Sequence, residues 1–228
     1  MPNRTPSDVG NKFIHRVDAL LKDYKSLLLN IDGKKRQASL ETLLAEQTVM
    51  SLGIYWEAFL HELVISYIVQ SPGTCIADFR NRMNQSMSEK FAGAASWMTL
   101  NAPSSLTREQ AELLLDPKGE NVTATDPTKL AETANRWVSA GSAPKFSLNQ
   151  EDAQFLTLLV SMRNFLAHRS VASRSKLRTA TANLSGANAP LQAVIKQFAT
   201  YIKHSSPAGS RVDQIASRSK QLAARLAL

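Results

Sequence analysis

A single cysteine, Cys75, among 228 residues excludes an intramolecular disulfide and any zinc site that needs two or more thiolates from one chain. A reducing compartment is the expected setting. Long apolar runs are also missing. The most apolar stretch, residues 63–69, stops at Pro72-Gly73, too short to span a bilayer as a helix. The N-terminal Met1-Pro2-Asn3-Arg4-Thr5-Pro6 and the residues after it hold no apolar segment of the signal-peptide kind. The reading is a cytoplasmic protein with no membrane partner. In such a chain the triplet Asn121-Val122-Thr123 is a chance match to a glycosylation acceptor.

Several catalytic signatures are missing as well. There is neither a Gly-rich phosphate loop nor a Gly-x-Ser-x-Gly elbow. His61-Glu62-Leu63-Val64-Ile65 opens like the zinc-protease motif but carries Ile65 where the second His ligand belongs. His15, His61, His168 and His204 fall on different predicted segments, so neither a metal nor another cofactor is expected.

What is present is apolar content and an uneven charge. The chain is 43% hydrophobic, enough for a core, and its length suits one domain. Lys and Arg number 27 against 19 Asp and Glu, a formal charge of +8. Residues 151–228 hold 11 basic and 3 acidic residues, whereas residues 1–150 hold 16 of each. The whole excess sits in the last third, which points to an anionic partner, nucleic acid before membrane.

Periodicity predicts an all-α fold, since no stretch alternates strictly with β-branched enrichment. A first helix is expected over about 11–30, with Phe13, Val17, Leu20, Leu21, Tyr24, Leu27 and Leu28 at three- and four-residue steps. A second, over about 40–70, carries Leu52, Trp56, Phe59, Leu63 and Tyr67 as one stripe, widened by Met50, Ile54, Ile65 and Ile68. A helix apolar nearly all round lies in the middle of a bundle or at a subunit interface. Residues 72–148 read as an irregular insertion with short helices near 76–91, 107–115 and 127–140 and no core of its own. The turn signals between them include Asn101-Ala102-Pro103 and Asp116-Pro117-Lys118-Gly119.

The clearest helix follows. Asn149 caps it, Asp152 takes a capping-box-like position, and Phe155, Leu159, Met162 and Leu166 form its seam as far as His168. Arg169, Arg174, Lys176 and Arg178 then stand in a Ser-rich stretch read as a loop, which either contacts RNA phosphates or is ordinary solvated surface. Pro190 opens a helix through Lys203, so the core helices cover about 11–70 and 149–204. Pro207-Ala208-Gly209 interrupts, and a basic helix closes the chain over about 210–227.

The chemistry concentrates before His168. Thr157, Ser161, Asn164 and His168 fall within about 60° of one helix face. Asn164 can bond His168 across one turn and fix its tautomer, and Arg163 offers a permanent charge suited to phosphate. A solvated face with a histidine that complements the helix dipole reads the same residues differently. Glu57 stands one turn from His61 and reads either as a site residue or as a solvated or ion-paired carboxylate.

Arg163-Asn164-Phe165-Leu166-Ala167-His168 resembles the motif of the HEPN superfamily, an Arg and a His separated by four to six residues with Asn after the Arg. Trp56-Glu57-Ala58-Phe59-Leu60-His61-Glu62-Leu63 is similar to the Trp-Glu-x-Phe-Leu helix of the RiboL-PSP-HEPN branch. The resemblance covers about 40–70 and 150–205. It implies an up-down helical bundle and a metal-independent RNA endonuclease whose motifs face each other across a homodimer. It further implies a bacterial toxin or phage-defence role, with an antitoxin or defence-system protein as a further partner. In that scheme His168 is general base or acid, Arg163 stabilises the phosphorane, Asn164 positions the base, and Glu57 approaches the motif. Two other readings stay open: a catalytically silent HEPN protein that binds RNA or a protein partner, and a basic helical nucleic-acid-binding protein with a chance motif.

One geometric problem accompanies the resemblance. Five residues are about 140° around an ideal helix, so Arg163 and His168 do not share a face. Either the helix loosens near Ala167 or Arg163 acts with the His168 of a second subunit.

Overall fold

The computed structural model describes residues 4–95, 103–116, 126–207 and 209–228. Asn101, Ala102, the expected turn at Pro117-Lys118-Gly119, the Asn121-Val122-Thr123 triplet and Ala208 lie outside them. The fold is all-α, with one two-residue ladder pairing Ser205 with Ser210 and Ser206 with Gly209.

Helix α1 spans Pro6–Ile31, longer at its start than the periodicity predicts, because Thr5 and Asp8 form a capping box ahead of Pro6. Helix α2 spans Gln37–Gln70 and pairs with α1 as a hairpin. Six consecutive residues of α2, Leu63 to Ile68, are buried, as a helix covered on every side requires. α2 touches α1, and also the elements described below at 108–115, 150–168, 198–203 and 211–227. Phe13 of α1 packs edge-on to Trp56 at 5.4 Å and on Phe59 at 4.8 Å, so both aromatics of the Trp-Glu-x-Phe-Leu run are core. Burial of each such side chain contributes about 1.5–3 kcal/mol.

The length argument against a bilayer helix does not stand. α2 is continuous for 34 residues, and one window reaches a mean hydropathy of 1.3; 61% of that window is buried within the fold, as in the central helix of a bundle.

Helix α3 (Gly73–Ala95) is longer than the expected 76–91, and α4 (Arg108–Leu115) and α5 (Pro127–Trp137) follow. Leu106, Ala111, Leu115, Leu130, Ala134, Val138 and Phe146 join the single apolar core, so this region has no separate one. Trp137 Nε1 donates to Asp78 Oδ2 at 3.0 Å and ties α5 to α3.

Helix α6 spans Gln150–His168, with Asn149 accepting from the Asp152 amide. The Asp152 side chain does not complete a capping box; it pairs with Arg218 at 2.6 Å and Arg225 at 2.9 Å. The stretch expected to be a loop is helix α7, Val171–Ala182. Ser170 caps it by accepting from the Ser173 amide, a signal hidden in the Ser-rich composition. The helix expected from Pro190 to Lys203 is also corrected. Pro190 lies inside a 3₁₀ turn, Gly186–Leu191; residues 192–197 are non-helical, and α8 is short, Phe198–Lys203. Arg178 Nε donates to the Ile195 carbonyl at 3.0 Å, which gives a carbonyl outside the helix a partner. Helix α9, Arg211–Ala227, packs on α1 and closes the bundle, with Ser210 as its cap.

Candidate nucleic-acid interface and motif

Packing of α6 on α2 sets the motif. Gly53 is buried on α2 directly beneath Arg163: a Cβ added there would lie 2.7 Å from Arg163 Cβ and 2.9 Å from its Cγ. This close approach lets the guanidinium reach back along α2. Arg163 Nη2 pairs with Glu57 Oε2 at 3.2 Å, and Nη1 donates to Asn164 Oδ1 at 3.0 Å. Burial pushes the Glu57 carboxyl above its ordinary range, and Arg163 pulls it partly back. Arg163 Nε is buried and has no acceptor among the described residues.

The expected bond from Asn164 to His168 is not made; the Asn164 amide oxygen accepts from the Arg163 guanidinium instead. His168 is exposed and has no side-chain hydrogen-bond partner among the described residues. The polar row divides accordingly. Thr157 donates to the Ala153 carbonyl of its own helix, Ser161 is buried, and only Asn164 and His168 present polar groups near the helix end. Helix α6 runs unbroken through His168, so it does not loosen near Ala167. Arg163 and His168 keep about 140° between them. Glu57 is not engaged with His61, whose Nε2 lies 3.7 Å from Glu112 Oε1.

The chain reverses at one residue after the motif. Arg169 has φ 50° and ψ 19°, the left-handed conformation, and its amide bonds the Phe165 carbonyl at 2.8 Å. Glycine usually takes this place; a residue with a Cβ costs about 1–2 kcal/mol there. The Arg169 side chain is held by both oxygens of Glu46, at 3.2 and 2.6 Å, and its guanidinium lies 5.2 Å from the Phe165 ring. Glu46 belongs to α2, 123 residues away, and nothing in the local sequence marks it as a partner.

Beside this reversal lies a groove of about 320 Å³, walled by Phe165, Leu177, Ile195 and Phe198 and rimmed by Arg169, Arg174, Arg178, Lys196 and Glu46. Arg174 lies over Phe165 at 6.0 Å. Arg174 and Arg178 are one turn apart on α7 and share its groove side. Lys176, about 200° from Arg174, does not line the groove. Of the expected RNA-contact residues the fold thus gathers Arg169, Arg174 and Arg178 and leaves Lys176 out. It adds Lys196, which the sequence reading missed because it was placed on a helix. His168, adjacent to Arg169, does not line the groove either.

Among the described residues no three His, Cys, Asp or Glu side chains come together to hold a metal ion. No protein-family model matches the chain, and neither does any curated protein or solved structure.

Proposed function

We propose that the chain is a cytoplasmic, homodimeric RNA endonuclease of the HEPN type that works without a metal, in a toxin or phage-defence setting. One observation carries the reading: an exposed imidazole at the end of α6, unbonded among the described residues, stands one residue from a groove rimmed by Arg169, Arg174, Arg178 and Lys196. Guanidinium and ammonium groups around a part-aromatic groove suit a phosphate backbone. His168 takes the 2′-OH proton. The 2′-oxygen attacks phosphorus, the P–O5′ bond breaks, and an imidazolium returns a proton to the leaving oxygen. The products are a 2′,3′-cyclic phosphate and a 5′-OH. Arg163 stabilises the charge on the phosphorane, with Glu57 and Asn164 holding its guanidinium in place.

The angle between Arg163 and His168 favours a site shared by two subunits. Leu43 and Ile54 lie on α2, the helix that carries Glu57, and are 53% and 47% exposed, an apolar edge available to a second copy. An antitoxin or defence-system protein that covers this edge or the groove is the partner the reading implies.

A second reading has its own support. Arg163 is already neutralised by Glu57, and His168 has no orienting partner, as in a silent HEPN protein that only binds RNA or a partner protein. Incubation with total RNA in EDTA separates the two. Cleavage with cyclic-phosphate and 5′-OH ends, blocked by a deoxyribose at the cut and reduced about 10²-fold or more in His168→Ala and Arg163→Ala, is expected of the enzyme. Salt-dependent binding with no cleavage identifies the silent form. A monomer in light scattering at every soluble concentration contradicts the shared site.

A further inference from the structure

Arg211, the first residue of α9, is 7% exposed. Its guanidinium stacks on the Tyr201 ring at 4.1 Å, and Nη1 donates to the Leu191 carbonyl at 2.8 Å. Nε has no acceptor, and no carboxylate among the described residues lies within ion-pair distance. The other well-covered arginines differ: Arg163 has Glu57, and Arg218 has Asp152. Asp213, the acid nearest in sequence, is turned to Lys25 at 2.8 Å and to Ser210. A buried cation with no counter-ion is costly, and the positive end of α9 adds to the cost.

Arg211 lines a cavity of about 440 Å³ together with Lys196, Tyr201, Thr200, His204 and Val194. Among the described residues no acidic side chain lines it. The volume falls in the range of small-molecule sites. Val194 is 88% exposed at its rim, and Tyr201 supplies an aromatic wall.

The geometry points to a binding site for a phosphomonoester of a small molecule, with the phosphate held by Arg211, Lys196 and His204 and the organic part against Val194 and Tyr201. Two permanent cations match a phosphate dianion, and the guanidinium fork suits its oxygens. An RNA diester carries one charge per phosphate and sits in a polymer backbone, which suits exposed side chains better than a residue as covered as Arg211. The site stands apart from the ribonuclease reading: it shares Lys196 with the Arg174 groove but uses none of Arg163, Asn164 or His168.

The test follows the Arg211 Nε–H resonance of the full chain during titration with inorganic phosphate and with ribose 5-phosphate, at ionic strength held constant with sodium chloride. A saturable shift is expected with both, tighter with ribose 5-phosphate. Affinity should weaken about tenfold or more in the Lys196→Gln/His204→Asn double variant, whose exposed positions leave folding intact. A third arm uses an RNA oligonucleotide with 5′-OH ends. A shift no larger than chloride produces, equal affinity in the double variant, or a response to the oligonucleotide alone would each overturn the proposal. The last outcome would make Arg211 part of an RNA contact. Loss of RNA cleavage in His168→Ala leaves phosphate binding unchanged, so failure of either reading is seen independently.

Discussion

Arg163 of α6 meets Glu57 of α2 at 3.2 Å only because the residue one turn earlier on α2, Gly53, has no side chain. Two long helices that approach over a glycine bring the motif arginine to the acid of the Trp-Glu-x-Phe-Leu run. The same contact holds its Nε away from water.

Gly53→Ala tests this approach. Alanine in a helix interior gains about 1 kcal/mol over glycine. Here its methyl meets Arg163 Cβ, which is fixed to the α6 backbone and cannot swing aside, and overpacking costs about 1–3 kcal/mol. A net loss of stability in urea denaturation is expected, with a displaced Glu57–Arg163 pair. A gain in stability would show that the helices separate freely at this point.

The Glu57 carboxyl should titrate above its ordinary value of 4.5, since burial dominates and Arg163 only partly offsets it. A raised carboxyl in the folded state means that its contribution to stability is fully present below about 4.5 and declines as the pH rises through the folded value. Arg163→Gln removes the offsetting charge, so the midpoint should rise further. Carboxyl carbon resonances followed by NMR supply the measurement. A midpoint at or below 4.5, or no movement in Arg163→Gln, would contradict the assignment.

The groove proposed to hold RNA predicts unequal roles for three neighbouring cations. Arg174 has no carboxylate partner among the described residues and lines the groove, so Arg174→Gln should lower the salt slope of RNA binding by about one unit. Lys176→Gln should leave the slope unchanged, because Lys176 lies outside the groove. Arg169→Gln should have the smaller effect of the two rim changes nearest the motif, because Glu46 already neutralises Arg169. Equal slopes for Arg174→Gln and Lys176→Gln would reduce α7 to ordinary solvated surface.

Asp152 anchors the closing helix. Its side chain is 3% exposed and holds Arg218 and Arg225. Asp152→Ala leaves the Arg218 charge covered and unpaired, at a cost of about 3–5 kcal/mol. Arg225 is 40% exposed and Asp152 keeps Arg218 without it, so Arg225→Ala should cost about 0–1 kcal/mol. Chemical denaturation of both variants measures the contrast; similar losses would mean that Asp152 is not a buried anchor.

Where local chemistry suffices, the amino-acid order alone determined the outcome. The period of apolar residues in α1, α2 and α6, the Asn149 cap, the stop at Ser71-Pro72-Gly73 and the Ser210 start of α9 all follow from groups within one turn of each other. The excess of positive charge in the last third was equally legible. Tertiary structure decided what depends on distant groups. Composition made 169–178 look like a loop, yet burial of Leu177 and Thr181 against the core holds it as α7. Pro190 looked like a helix start, yet the carbonyls of Leu191 and Ile195 turn to Arg211 and Arg178 instead. Spacing put Asn164 one turn from His168, but Arg163 competes for the amide oxygen with a charged donor and takes it. The partners Glu46, Glu57 and Gly53 become meaningful only when α2 lies against α6. Hydrogen bonds and ion pairs are short-ranged in space, and only the fold brings residues more than a hundred positions apart within their reach.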